Sequence, residues 1–225
     1  MMRYGIFSDI HSNLEAFEAV LKALKKESVD KYFCVGDIVG YAANPKECIK
    51  IMQELNCPIV CGNHDWAVID WVDHTYFNPY AKAAVEWTKD QLNDSERNYL
   101  KDLPLIYEDE EIMMVHGTLE KPEEFDYIFD EFTALRTLDI CRTKVCFIGH
   151  THFPAEYSKG TKRLVNVGSV GQPRDGNPKA TYCIYDLDKN AIEIKRVEYD
   201  IKTTMNKILA AGLPNILAFR LIEGR

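Results

Sequence analysis

Residues 2–65 read MRYGIFSDIHSNLEAFEAVLKALKKESVDKYFCVGDIVGYAANPKECIKIMQELNCPIVCGNHD, and this stretch decides the fold. Met2–Ser8 predicts a buried strand. Ser12-Asn13-Leu14-Glu15 fits a capping box, with Ser12 at the N-cap and Glu15 three residues on. The helix that follows puts Leu14, Phe17, Leu21 and Leu24 on one stripe. Tyr32–Val35 predicts a second strand. Asn44-Pro45 starts a second helix, because Asn caps and Pro suits the first turn. Its stripe is Cys48, Met52 and Leu55. Pro58–Cys61 predicts a third strand. Strands alternating with helices argue for parallel pairing with right-handed crossovers.

Beyond residue 65 the character changes. Trp66 to Leu103 predicts helix and is rich in rings: Trp66, Trp71, Tyr76, Phe77, Tyr80, Trp87 and Tyr99. Asn78-Pro79 is a second cap signal, and Pro104 ends the stretch. Leu105–Tyr107 and Ile112–His116 predict a hairpin around Glu108–Glu111. A helix is expected over Phe129–Leu138, and strands over Val145–Gly149, Arg163–Val167, Thr181–Asp186 and Ala191–Tyr199. The last two form a meander through the Asp188–Asn190 turn. A terminal helix covers about Thr203–Ala211, where Gly212 and Pro214 break it. The expectation is one α/β domain over residues 1–225, built of helices around two stacked sheets. It carries a small helical cap at about 66–103 and a helical tail at about 201–225.

Composition bounds the function. The chain has 225 residues, 46% hydrophobic and 28% charged, which is ordinary for a globular protein and excludes disordered or fibrous classes. No apolar run approaches the roughly 18 residues that span a bilayer, so no membrane association is expected. The opening MMRYGIFSD has no signal-peptide layout, and the cysteine usage predicts a cytoplasmic protein. A net charge of −8 predicts no extended nucleic-acid groove. An anionic substrate would then need strong local positive charge. The seven cysteines contain no CxxC pair, so reduced thiols are expected. A zinc site at Cys57 and Cys61 lacks a second Cys/His pair.

The chemistry lies in the histidines. Asp9-Ile10-His11 follows the first strand, Gly36-Asp37 the second, and Gly62-Asn63-His64-Asp65 the third. His116-Gly117 and Gly149-His150-Thr151-His152 follow later strands. Ligand sites in open α/β sheets lie at the carboxyl ends of strands, so these pieces are expected to converge on one rim. Glycines at 36, 62, 117 and 149 are expected to let the backbone turn sharply. Two Asp, one Asn and four His give mixed O/N ligation without thiolate. That suits Mn, Fe, Co, Ni or Zn better than Ca or Mg. Seven donors are too many for one tetrahedral ion and suit two ions about 3.5–4 Å apart that share a carboxylate. A lone strand-end His is usually structural, and a lone GD or GN is usually a turn. Five pieces in order are harder to dismiss. His74 falls outside the pattern and reads as a surface or cap residue. The cap aromatics read first as packing.

Together DIH, GDIVGY, GNHD, HG and GHTH resemble the signature of the calcineurin-like metallophosphoesterases. Asn166-Val167-Gly168-Ser169-Val170-Gly171-Gln172-Pro173-Arg174 resembles a loop of the small prokaryotic phosphodiesterase branch. The resemblance implies a four-layer α/β/β/α sandwich of two mixed sheets flanked by helices. It implies two divalent transition-metal ions, Mn first. Asp9, His11 and His152 would hold one ion, and Asn63, His116 and His150 the other, with Asp37 bridging. His64 would contact the phosphate and, as imidazolium, donate to the leaving oxygen; Asp65 would orient it. The implied reaction is phosphodiester hydrolysis by in-line attack of a hydroxide held between the ions. The related Ser/Thr protein phosphatases carry GDxVDRG, and their arginine is missing here. Arg174 is a candidate for part of its role, against the alternative of a structural pair with Asp175. The expected substrate is a small phosphoester or nucleotide-like molecule. A diadenosine-tetraphosphate-type hydrolase and a non-catalytic scaffold of the same fold remain as alternatives. A homo-oligomer stays open.

Overall fold

The computed structural model describes residues 2–225. The first third runs β1 (Arg3–Phe7), α1 (Leu14–Lys26), β2 (Lys31–Cys34), α2 (Pro45–Leu55) and the single turn α3 (Asn63–Ala67). Next come α4 (Pro79–Gln91), α5 (Asp94–Lys101), β3 (Ile106–Glu108), β4 (Ile112–Val115) and α6 (Glu131–Ile140). The last third holds β5 (Val145–Ile148), β6 (Ala155–Lys159), β7 (Lys162–Asn166), β8 (Ala180–Asp186), β9 (Ala191–Val197), α7 (Ile201–Ala210) and α8 (Asn215–Glu223).

The strands form two mixed sheets, ordered β2-β1-β8-β9 and β3-β4-β5-β7-β6. In the first, β1 runs parallel to β2 and antiparallel to β8. In the second, β4, β5 and β7 are parallel, and antiparallel β3 and β6 close the edges. Side chains alternate across a strand, and the sequence exploits both faces. Tyr4 and Ile6 of β1, Ile112 and Met114 of β4, and Val145 and Phe147 of β5 meet between the sheets. Met113, Val115, Cys146 and Ile148 point the other way, onto Ala134 and Leu138 of α6. Phe7 and Tyr182 face Phe17, Val20 and Leu24 of α1. Two sheets face to face with helices outside make the four-layer α/β/β/α sandwich.

Two local expectations need correction. The N-cap of α1 is Asn13, whose side chain accepts from the Ala16 N–H at 3.2 Å. Ser12 sits at φ 57, away from the extended backbone of an N-cap, and its N–H is spent on the Ile38 carbonyl. Glu15 instead meets Lys207 and Thr204 of α7. Pro58–Cys61 makes only an isolated bridge, Cys34 to Ile59, because the Cys61 N–H turns to the Pro104 carbonyl. The break expected at Gly212 and Pro214 is present: α7 ends at Ala210, and Pro214 is the N-cap of α8. Strand β6 was not expected.

The tail matters for the site. Ile208, Leu213, Leu217 and Leu221 of the tail pack with Tyr41, Ala42 and the α4 residues Ala81 and Ala84. All seven cysteines are free thiols. Among the described residues, no helix is long and apolar enough to cross a membrane.

Candidate metal centre

The carboxyl ends of β1, β2, β4 and β5 lie at one rim, and the loops leaving them carry Asp9, Asp37, His116, His150 and His152. Asp9, His11, Asp37, His150 and His152 all have positive φ, between 49° and 67°. L-residues visit this region at a cost of about 1 kcal/mol or more, so the loops are held there by their surroundings. Gly62 and Gly149 have a different use from the sharp turn expected of them. A Cβ on Gly62 would lie 2.0 Å from Asp37 Oδ1, and one on Gly149 would lie 2.6 Å from Asp9 Oδ2. Each glycine makes room for a carboxylate. Gly36, with φ 93, does supply a turn.

Three donor groups share members: Asp9, His11 and His152; His11, Asp37 and His64; and Asp37, His116 and His150. In each, the potential ligand atoms lie within 4.8 Å of one another. Three imidazoles are fixed from behind. Nδ1–H donates to the Val39 carbonyl from His11 (3.0 Å), to the Val35 carbonyl from His116 (2.6 Å) and to the Gln172 carbonyl from His152 (2.6 Å). That tautomer leaves Nε2 with its lone pair turned inward, the arrangement of a metal-ligating histidine. The His11 and His152 Nε2 atoms are then only 3.0 Å apart. Asp9 Oδ1 lies 3.1 Å from His152 Nε2, and Asp37 Oδ2 lies 3.3 Å from His116 Nε2 and 3.5 Å from His11 Nε2.

The cluster fits cations for a reason internal to the chain. Asp9 Oδ1, Asn63 Oδ1 and His116 Nε2 are buried with no hydrogen-bond partner. Buried polar atoms are rarely left unpaired. Burial would raise Asp9 and Asp37, but the adjacent histidines outweigh it and hold both carboxyls well below their usual range. Burial lowers His152 to about 4, with Arg174 adding to the effect, and drives His150 further down. Only His116 among the shifted rings is raised, to about 9, where Asp37 overcomes its burial. A bound cation would satisfy these unpaired atoms and offset the two buried carboxylates.

His64 and Asp65 differ from what was expected. The His64 ring stands 4.5 Å from Tyr41, 4.9 Å from His11 and 5.1 Å from Phe77, centroid to centroid. Burial lowers it to about 3, against the pull of Asp37. The Asp65 carboxylate does not touch that ring. It accepts four backbone N–H groups, from Asp37 (2.9 Å), Ile38 (2.9 Å), Val39 (3.2 Å) and Gly62 (3.0 Å). Burial and the charge of Asp37 push it up to about 7 against those bonds. Asp65 holds the loop that presents Asp37 and is a positioning residue. Asp65→Ala is expected to leave these donors unpaired and to cost about 3–5 kcal/mol of stability. Thermal or denaturant unfolding checks this; a loss under about 1 kcal/mol would contradict the role.

Arg174 reaches the site and does not pair with Asp175, which bonds Arg196. Its guanidinium donates to the Tyr41 hydroxyl at 3.1 Å and to Gln172 Oε1 at 3.0 Å. Among the described residues, no carboxylate ion-pairs with it. His74 stays outside the cluster, against Glu86. Sequence reading missed Tyr127, whose ring stacks on His150 at 3.9 Å and 15°. No local motif marks it. It also missed Tyr41, although that residue directly follows GDIVG.

Comparison with known proteins agrees with this geometry. Residues 2–190 match the model of the calcineurin-like phosphoesterase superfamily domain. The uncharacterized protein MJ0912 of Methanocaldococcus jannaschii is 41% identical, with 98% of each chain covered. Phosphodiesterase YfcE of Escherichia coli is 26% identical over 84% of this chain and 89% of its own. A metallophosphoesterase from Sphaerobacter thermophilus superposes with a TM-score of 0.89 at 37% identity, covering 100% of this chain and 99% of that one.

Proposed function

The chain belongs to the calcineurin-like phosphoesterase superfamily, and from that premise we propose that it is a phosphodiesterase that works with two divalent transition-metal ions, manganese first. The observation that carries this reading is the inward set of unpaired donors described above. Asp9, His11 and His152 would hold one ion, and Asn63, His116 and His150 the other. Asp37 belongs to two of the three donor groups, which suits a bridging carboxylate. Bound ions of this kind supply positive charge to phosphoryl oxygens and lower the pKa of an attacking water.

The chain's own residues do the rest. His64 lies against the cluster, carries an N–H even when neutral, and would donate to the leaving oxygen. A phosphate arriving beside it adds negative charge, which raises its affinity for a full proton. Arg174 stands over the Tyr41 ring, 5.6 Å from its centroid. Tyr41 occupies the position where the protein phosphatases carry their arginine. A guanidinium therefore reaches the same rim from a different loop, and it is well suited to a non-bridging phosphate oxygen. Arg174→Ala is expected to raise KM about tenfold or more with metal content unchanged. Unchanged kinetics with a lowered melting temperature would make the arginine structural.

The reading as a whole is tested by metal analysis of the purified chain and turnover of a panel. The panel holds aryl diesters, monoesters, cyclic nucleotides and dinucleoside polyphosphates. Diester turnover that needs added Mn²⁺ is the expected result. A chain that binds no ion and turns over nothing would leave the scaffold reading, and a preference for dinucleoside tetraphosphates would replace the phosphodiesterase one.

A further inference from the structure

Beside the metal centre, under the helical cap, lies a cavity of about 280 Å³ that the chemistry above does not use. It borders the metal centre at Asn63, His64 and His150. Phe77 of the cap, which stands 5.1 Å from the His64 ring, also lines it, as do Phe125 and Tyr127, the latter stacked on His150. Tyr76 also lines it and is 90% exposed. Glu123 and Glu124 complete the wall, both exposed. Glu124 is tied to Lys121 at 2.7 Å, while Glu123 has no side-chain hydrogen bond or ion pair among the described residues.

These walls select by shape and by charge. Aromatic sides favour a flat ring, which stacks without regard to sequence of atoms around it. Two carboxylates disfavour a second phosphate, so the non-phosphate end of a substrate belongs here. The volume is at the lower limit of small-molecule sites, about 300 Å³, which suits one ring system and not two. An ionised carboxylate only accepts hydrogen bonds and has two oxygens side by side. It pairs best with a ring edge that offers two adjacent N–H donors, as guanine does and adenine does not.

We propose that this cavity is the nucleobase subsite of the enzyme, with the base packed against Phe77 and Tyr76 and its paired N–H edge held by Glu123, so that guanine-bearing phosphoesters are preferred. This deepens the phosphodiesterase reading and rests on it for the substrate, but its test does not need turnover. Titration calorimetry of the metal-loaded protein with guanosine, adenosine and ribose measures the subsite alone. Guanosine is expected to bind about tenfold more tightly than adenosine, and ribose not to bind measurably. Tyr76→Ala, at an exposed position, is expected to weaken both nucleosides about fivefold. Glu123→Gln is expected to abolish the preference for guanosine while keeping adenosine binding. Equal affinity for guanosine and adenosine, a preference that survives Glu123→Gln, or no nucleoside binding at all overturns the proposal. Aryl diester turnover on the same preparation separates the two readings. Turnover without nucleoside binding removes only the subsite, and nucleoside binding without turnover removes only the phosphodiesterase.

Discussion

Asp37→Ala is expected to empty both cation positions together and to lower kcat/KM by about 10³-fold or more. The reason is the geometry of one carboxylate. Asp37 Oδ2 faces the Nε2 atoms of both His11 and His116, at 3.5 and 3.3 Å. Its Oδ1 is held by the His64 N–H at 2.9 Å, which fixes the plane of the group. Removing it takes a donor from two groups and leaves the remaining lone pairs facing each other. Asn63→Ala removes a single buried oxygen and is expected to empty mainly one position. The two variants are compared by metal content after dialysis and by kcat/KM on an aryl diester. If Asp37→Ala retains two tightly held ions, the bridging assignment is wrong.

His64→Ala is expected to keep both ions and to lose activity in a manner set by the leaving group. Proton donation contributes typically about 10²–10⁴-fold where the leaving oxygen is a poor anion. A nitrophenolate needs little help, whereas an alkoxide such as a ribose oxygen needs much. The loss is therefore expected to be roughly 10²-fold or more for alkyl esters and about tenfold for aryl ones. A leaving-group series with metal content measured in each sample reads this directly. Equal losses along the series would assign His64 to phosphate positioning. Loss of an ion would assign it to coordination, which its membership in a group with His11 and Asp37 makes a real alternative outcome. The ring also packs against Tyr41 and Phe77, so a melting curve accompanies the kinetics.

The rim was legible in the sequence because its chemical pieces follow strands or, at Gly62-Asn63-His64-Asp65, a single bridge to β2, and strand ends are where such sheets present side chains. What was not legible had non-local causes. Strand β6 is a half-exposed edge whose Ala-Glu-Tyr-Ser-Lys offers only Ala155 and Tyr157 as alternating apolar positions, too short a pattern to read as a strand, so its pairing with β7 reveals it. Pro214 reads locally as a breaker, yet it begins a helix whose Leu217 and Leu221 are buried against the tail and cap. Asp65 sits beside His64 in the chain, but its acceptors are claimed by the neighbouring loop, which no spacing rule foresees. The stacking of Tyr127 on His150 joins two segments that only the fold brings together.

The left-handed backbone at five of the seven candidate ligands has a consequence for how long the protein lasts. Turns held in an unfavourable conformation give way first when what fastens them is withdrawn. Ions that bind only the folded chain would supply that fastening, and their binding free energy then adds to its stability. Without ions the same loops would be the first to open, so a shortage of metal would shorten the life of the chain as well as silence it.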